Sequence, residues 1–279
     1  MKTWLITGCS TGLGRTLAEH VLARGDNVVL TARRPEQLSE LAAAYPDTAL
    51  VAKLDVTEAA DIAAVVAATE ARFGGLDVLV NNAGYGLIGA VEEATPEEYR
   101  PLFEVNLFGL IEMTRAALPL MRKGTGGRIV NLSSTLGFMG RAGFGLYSSA
   151  KFAVEGLSEA LAAEVEPLGM NVIIVEPGAF RTDFLDRSLA VAETSIDAYA
   201  DTVGQVRAYP EAFNGNQRGN PEKGVAMIAK AVDSDTPPLR LALGADSYAN
   251  NRSKIDRALG DFDTWEGDAG EAVWFPEGS

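Results

Sequence analysis

Seven short apolar runs, set between stretches of helical spacing or turns, constrain this 279-residue chain more than any other feature. Residues 3–7 form the first run and end at a glycine turn. Leu13, Leu17 and Val21 then recur four apart, and Gly25 stops them. Further runs lie at 27–32, 48–53, 77–80, 127–132, 171–175 and 239–243. Ile62, Val65, Val66, Thr69 and Phe73 mark a helix closed by Gly74-Gly75. Thr95-Pro96-Glu97-Glu98 starts another, with a capping threonine, proline at the first position and acids at the positive end. That helix is expected to run past Asn106 and bend near Gly109 and Pro119. A long helix is expected over 146–168, Pro221 opens a further one, and 179–220 reads as irregular. Short buried strands alternating with helices predict an α/β fold, a doubly wound parallel sheet of about seven strands with helices on both faces. No linker-like composition or repeat divides the chain, so a single domain over 1–279 is expected.

Composition removes several kinds of chemistry. Cys9 is the only cysteine and His20 the only histidine. An intrachain disulfide, a His/Cys metal site and a Ser-His-Asp triad therefore lack raw material, and no metal is expected. Any acid or base must be Tyr, Lys, Asp or Glu. A net charge of −14 argues against nucleic-acid partners. The chain has no apolar run of membrane-spanning length, and its first residues do not resemble a signal peptide. A cytoplasmic protein without a membrane partner is the expectation. The acidic segment 261–279 holds Trp265, Trp274 and Phe275, and is expected to pack on the body or on another subunit.

Thr7-Gly8-Cys9-Ser10-Thr11-Gly12-Leu13-Gly14 lies between the first strand and the first helix. Glycines there let backbone approach a pyrophosphate, and the helix N-terminus adds amides and a favourable dipole. The second strand ends Thr31-Ala32-Arg33-Arg34, without the acid that binds both ribose hydroxyls of NAD. Arginine instead pairs with a 2′-phosphate. Arg33 is the first candidate for that contact and Arg34 the second, so NADP is the expected cofactor and NAD the weaker alternative.

Tyr147-Ser148-Ser149-Ala150-Lys151 opens the long helix. Residues four apart share a helix face, which brings the Lys151 ammonium toward the Tyr147 phenol. A phenol near pKa 10 is too weak an acid for exchange at neutrality, and a neighbouring positive charge lowers that value. The fifth strand ends Asn131-Leu132-Ser133-Ser134, where a hydroxyl could polarise a substrate oxygen.

Together these segments resemble the short-chain dehydrogenase/reductase family, whose signature is Thr-Gly-x-x-x-Gly-x-Gly in a Rossmann-type fold. The resemblance runs over about residues 1–182. It implies that Gly8, Ser10 and the amides of Gly12, Leu13 and Gly14 hold phosphate, and that Asp55 and Val56 hold adenine. It implies that Asn81-Asn82-Ala83-Gly84 steadies the sheet beside the ribose. Ser134, thirteen residues before Tyr147, matches the family's catalytic serine, with Ser133 as the alternative. Asn106 matches its helical asparagine, beside a water that serves Lys151. Pro177-Gly178-Ala179-Phe180-Arg181-Thr182 matches the segment whose threonine holds the nicotinamide carboxamide. Tyr147 and Lys151 also meet the ribose.

The expected function is hydride transfer between NADP(H) and a carbonyl or secondary alcohol, with Tyr147 as general acid/base. A non-catalytic dinucleotide sensor on the same fold is the alternative. Phe180, Phe184, Leu185 and Leu189, with Leu136, Phe138, Met139, Phe144 and Leu146, are candidates for the wall of an apolar substrate pocket. Tyr209 and Phe213 are further candidates for it, Arg141 and Arg181 are candidates for a substrate carboxylate, and 183–220 is expected to form a lid. Ala153, Gly156, Ala160 and Ala163 give the long helix a small-sided face, which suits a homodimer or homotetramer.

Overall fold

The computed structural model describes residues 1–270 and Trp274. Its strands are β1 (Thr3–Ile6), β2 (Asn27–Ala32), β3 (Ala49–Lys53), β4 (Val78–Asn81), β5 (Gly86–Ile88), β6 (Arg128–Leu132), β7 (Asn171–Pro177), β8 (Leu189–Val191) and β9 (Arg240–Leu243). The helices are α1 (Gly12–Ala23), α2 (Ser39–Ala44), α3 (Ala59–Phe73), α4 (Pro96–Phe103), α5 (Gly109–Met121) and α6 (Thr135–Phe138). They continue as α7 (Gly145–Val165), α8 (Phe184–Arg187), α9 (Gln205–Arg207), α10 (Tyr209–Phe213), α11 (Pro221–Val232) and α12 (Ala245–Ala269).

Seven strands form one sheet in the order β3-β2-β1-β4-β6-β7-β9, every pair parallel. Side chains alternate between faces along a strand. On β1, Trp4 and Ile6 enter the apolar layer with Leu17 and Val21 of α1 and Ile228 of α11. Leu5 enters the opposite layer with Ile62 of α3, Met113 of α5 and Leu161 of α7. Both faces are covered, which is why the strands read as unbroken apolar runs. Each large side chain sealed in this way contributes roughly 1.5–3 kcal/mol. The strand order reverses between β1 and β4, so the loops after these strands diverge and leave a crevice at the carboxyl edge.

Several expectations are corrected. Residues 179–220 are not irregular, because they contain α8, β8, α9 and α10, and β8 pairs with β5 in a separate two-stranded parallel sheet. Three-residue strands are too short to show a period. The residue preceding α3 is Glu58, and Thr57 before it donates from its amide (3.0 Å) and hydroxyl (2.7 Å) to Asp55 Oδ1. Residues 261–269 do not pack on the body, since they continue α12 with every side chain exposed. Trp274 is exposed as well, and Phe275 lies outside the described residues.

The break expected near Asn106 takes a specific form. Between α4 and α5 the chain makes a wider π-type turn over Glu104–Phe108, a feature common at functional sites. In α7, Val154, Leu161 and Val165 are buried while Gly156, Ala160 and Ala163 stay exposed. No helix among the described residues is long and apolar enough to cross a membrane.

Candidate active site

A cleft of about 1060 Å³ opens at the carboxyl edge of the sheet, over the loops that follow β1, β4, β6 and β7. Its floor is the glycine loop. Gly8 and Gly12 adopt φ of +74° and +62°, which a side chain rarely tolerates. A Cβ on Gly14 would overlap Asn82 Nδ2. Asn82 Nδ2 donates to the carbonyls of Thr7 (2.8 Å) and Gly8 (3.0 Å), while Thr7 Oγ1 accepts from the amides of Asn82 and Ala83 at 2.9 Å each. The Asn82-Ala83 segment is thus the brace of the glycine loop. No acid occupies the first turn of α1, so its positive end is uncompensated. This cradle fits a dinucleotide's phosphates. Cys9 lies beneath it, where burial pushes its thiol up to about 12.

Arg33 is exposed on the wall of the cleft, which half-buried Asp55 and buried Val56 also line. Arg34 is exposed but does not line it; it precedes the short turn at Pro35–Leu38. Gly178 and Thr182 close the opposite side. A Cβ on Gly178 would overlap the Asp246 carboxylate, whose Oδ2 accepts from the Ala179 amide at 2.8 Å. Asp246, at the start of α12, is itself a lining residue. Sequence reading did not single it out.

The polar side chains proposed for chemistry converge here. Ser134, Tyr147 and Lys151 all line the cleft. Ser134 caps α6, and its Oγ accepts from the Leu136 amide at 3.1 Å. The phenol of Tyr147 packs between the Phe144 and Phe184 rings, with centroids 6.4 and 6.3 Å away. Burial pushes it up to about 12, and the adjacent Ser134 hydroxyl pulls the other way. Lys151 Nζ donates to the Leu132 carbonyl at 2.7 Å. Burial lowers this lysine to about 8, against the pull of Glu155. Desolvation thus outweighs the expected acidification of the phenol, and the group that pulls it down is the Ser134 hydroxyl, not the ammonium.

Asn106, 1% exposed, donates to the Tyr85 carbonyl at 2.7 Å and accepts from the Tyr85 amide at 2.9 Å. A Cβ on Gly84 would stand 2.7 Å from Asn106 Oδ1 and 3.6 Å from Lys151 Nζ, so these three residues are close neighbours. Ser133 is buried beneath Gly137 and its Oγ makes no hydrogen bond. One turn past Lys151, Glu155 is buried and paired with Arg240, which also binds Glu176 at 2.8 Å. This ionic group was not foreseen.

Leu136, Phe144, Phe180, Phe184, Leu185, Leu189 and Tyr209 line the cleft as expected. Phe138, Met139, Leu146 and Phe213 do not. Phe138 lies under the Arg240 guanidinium at 5.0 Å, and Phe213 stacks on Tyr209 at the surface. Arg141 lines the cleft, whereas Arg181 points its Nε at the Gln217 carbonyl.

A family model described as short chain dehydrogenase matches residues 2–191. The chain belongs to the short-chain dehydrogenase/reductase family. This short-chain dehydrogenase is 38% identical to a 3-ketodihydrosphingosine reductase of Bacteroides thetaiotaomicron, over 86% of the chain and 87% of that protein. The crystal structure of a short-chain dehydrogenase from Streptomyces avermitilis superposes with a TM-score of 0.92 at 46% identity, covering 98% of this chain and 99% of that one. A serine dehydrogenase complexed with NADP+ superposes with a TM-score of 0.74 at 27% identity, covering 86% and 94%. The family is one of oxidoreductases, and its seven-stranded parallel sheet is the one found here.

Proposed function

We propose that this short-chain dehydrogenase transfers hydride between NADP(H) and a carbonyl or secondary alcohol carbon of a hydrophobic small molecule. One observation carries the reading: the Tyr147 phenol, the Ser134 hydroxyl and the Lys151 ammonium open into the same cleft as the glycine cradle. A cofactor site and an acid/base group in one cavity meet the geometric requirement of the reaction.

The nicotinamide cofactor, when bound, supplies or accepts the hydride. Gly8, Ser10, Gly12, Leu13 and Gly14 hold its phosphates, Asp55 and Val56 flank adenine, and Asn82, Ala83 and Gly84 pass the ribose. Pro177, Gly178 and Thr182 hold the carboxamide end. Arg33 would pair with a 2′-phosphate and no acid stands beside it on β2, which favours NADP over NAD; Arg34 would be the secondary contact. The remaining work belongs to side chains. Ser134 and Tyr147 hold the substrate oxygen, and the phenol, fully protonated at neutrality, gives its proton to the alkoxide that forms on reduction. Lys151 binds ribose and favours phenolate once the proton has left. Asn106 keeps the π-type turn beside Lys151, where protons return from solvent. The apolar wall of Leu136, Phe144, Phe184 and Leu189 selects an apolar skeleton, in keeping with the 3-ketodihydrosphingosine named for the Bacteroides relative.

Tyr147→Phe tests the reading. It removes the transferable proton and keeps the ring between Phe144 and Phe184. Turnover of a carbonyl panel, followed through NADPH absorbance, should fall at least about 1000-fold, with NADPH affinity within about threefold. Near-normal turnover would reject the role of Tyr147. No turnover by the unaltered protein, with intact NADPH binding, would favour a dinucleotide sensor.

A further inference from the structure

Helix α12 leaves the body of the protein. Its first turns are tied down: Ser247 Oγ donates to the Glu176 carbonyl at 2.7 Å, Asn251 bonds the Glu176 carboxylate, and Lys254 Nζ sits over the Phe152 ring at 4.8 Å. From residue 255 to the helix end, every side chain except Ala258 is exposed. Ile255, Leu259, Phe262 and Trp265 are 46%, 52%, 69% and 62% exposed, and their spacing of four, three and three puts them on one face. Tyr248, 52% exposed, extends that face upstream.

Fifteen residues of helix without tertiary support are marginal in water. This stretch is worse than average, because Gly260 and Gly267 stand in its interior. Asp261, Asp263, Glu266 and Asp268 crowd its last turns, where the carbonyl end of the dipole repels them, and no base is present in the last turn. Upstream, Arg252 flanks the apolar stripe, as Glu266 does downstream, and the two lie equally far on either side of Leu259. They meet only when two such helices lie antiparallel.

We propose that α12 is an assembly surface for a second copy of this chain, the two helices packing antiparallel about a two-fold axis near Leu259. That register sets Ile255 against Phe262 of the second copy and Arg252, which flanks the apolar stripe, against Glu266 of the second copy. Each contact occurs twice, as an isologous interface requires. The acidic ends come to rest beside the other helix's bases and positive terminus. A lipid surface is the poorer occupant: the outer half of the helix lacks the flanking lysines and arginines of interfacial helices, and its acids are repelled by anionic headgroups.

Light scattering and sedimentation equilibrium on the full chain test this. The unaltered protein should be an even-numbered assembly at micromolar concentration. Leu259→Asp combined with Phe262→Asp should halve its mass and leave the far-ultraviolet spectrum of the body in place. Arg252→Glu should weaken assembly, and adding Glu266→Arg should restore it. Under oxidation Leu259→Cys should cross-link to itself against a silent background, since Cys9 is buried. Phe262→Cys should cross-link only when mixed with Ile255→Cys. A monomeric wild type, an unchanged mass in the double variant, or Phe262→Cys linking to itself would overturn the proposal. So would flotation of the wild type with neutral vesicles in place of self-association.

Discussion

The Lys151 ammonium is bonded to the Leu132 carbonyl at 2.7 Å, at the end of the strand that delivers Ser134, and not to the Tyr147 phenol on its own helix face. An ammonium has three hydrogens, so this bond fixes the head group and leaves two for the cleft. The lysine is therefore positioned before any ligand arrives.

That arrangement predicts an order of titration. Burial places Lys151 near 8 and Tyr147 near 12. In the ligand-free protein the Tyr147 ring carbon, observed by ¹³C NMR, should remain in its phenol form through pH 10, while Lys151 titrates about two units earlier than an exposed lysine. Between about 8 and 10.5 the folded protein holds fewer protons at Lys151 than the unfolded chain. The burial cost is full below 8 and is relieved as pH rises through that window, so this group adds stability on the alkaline side. A Tyr147 resonance titrating below 9 without ligand would contradict the assignment.

The wall at Arg33 predicts cofactor choice. Arg33→Ala should weaken NADPH by roughly 1.5–3 kcal/mol, the range for a charged hydrogen bond, and leave NADH affinity nearly unchanged. Titration calorimetry with both cofactors reads the difference. Equal losses would move the 2′-phosphate contact elsewhere, with Arg34→Ala as the next variant to measure.

A third prediction concerns the segment over the substrate side. Glu93, 2% exposed, accepts from the amides of Ala90 (2.8 Å) and Ile196 (2.9 Å) and from Arg207 at 2.8 Å. Burial alone would raise its carboxyl, but these donors and the Arg207 charge outweigh it and hold it at about 2. Its folded value lies below the unfolded one, so its contribution is present above about 4.5 and is lost as pH falls toward 2. Glu93→Gln should loosen the segment from 189 to 213: faster proteolysis at Arg207, a KM raised about tenfold on loss of a charged pair, and a smaller change in kcat. Unchanged proteolysis would show that the pair does not secure the lid.

The strands of the large sheet were legible because both faces are buried, so β2 reads directly as the apolar run 27–32. Tyr147 and Lys151 were legible because one helical turn fixes their spacing. Other parts depend on contacts that no local pattern carries. Arg240 reaches Glu155 across 85 positions and Glu176 across 64. Asp246 meets the Ala179 amide across 67. The β5–β8 pair has three residues a side and no periodicity to detect. Helix α12 was hidden by its acids: 261–279 read only as an acidic segment packed on the body or on another subunit, although Ile255, Leu259 and Phe262 keep helical spacing. Tyr147's neighbours were named from sequence, but the burial that raises its phenol was not, because spacing carries no information on desolvation.

Asp246 gives α12 two addresses at once. Its carboxylate is mortared into the cleft wall at Ala179, while the same rod of 25 residues, about 37 Å at 1.5 Å each, ends far outside. Ser247 and Asn251 hold the same turns, so the loop carrying Gly178 and the anchored base of the rod are one unit, while the distal turns stand in solvent.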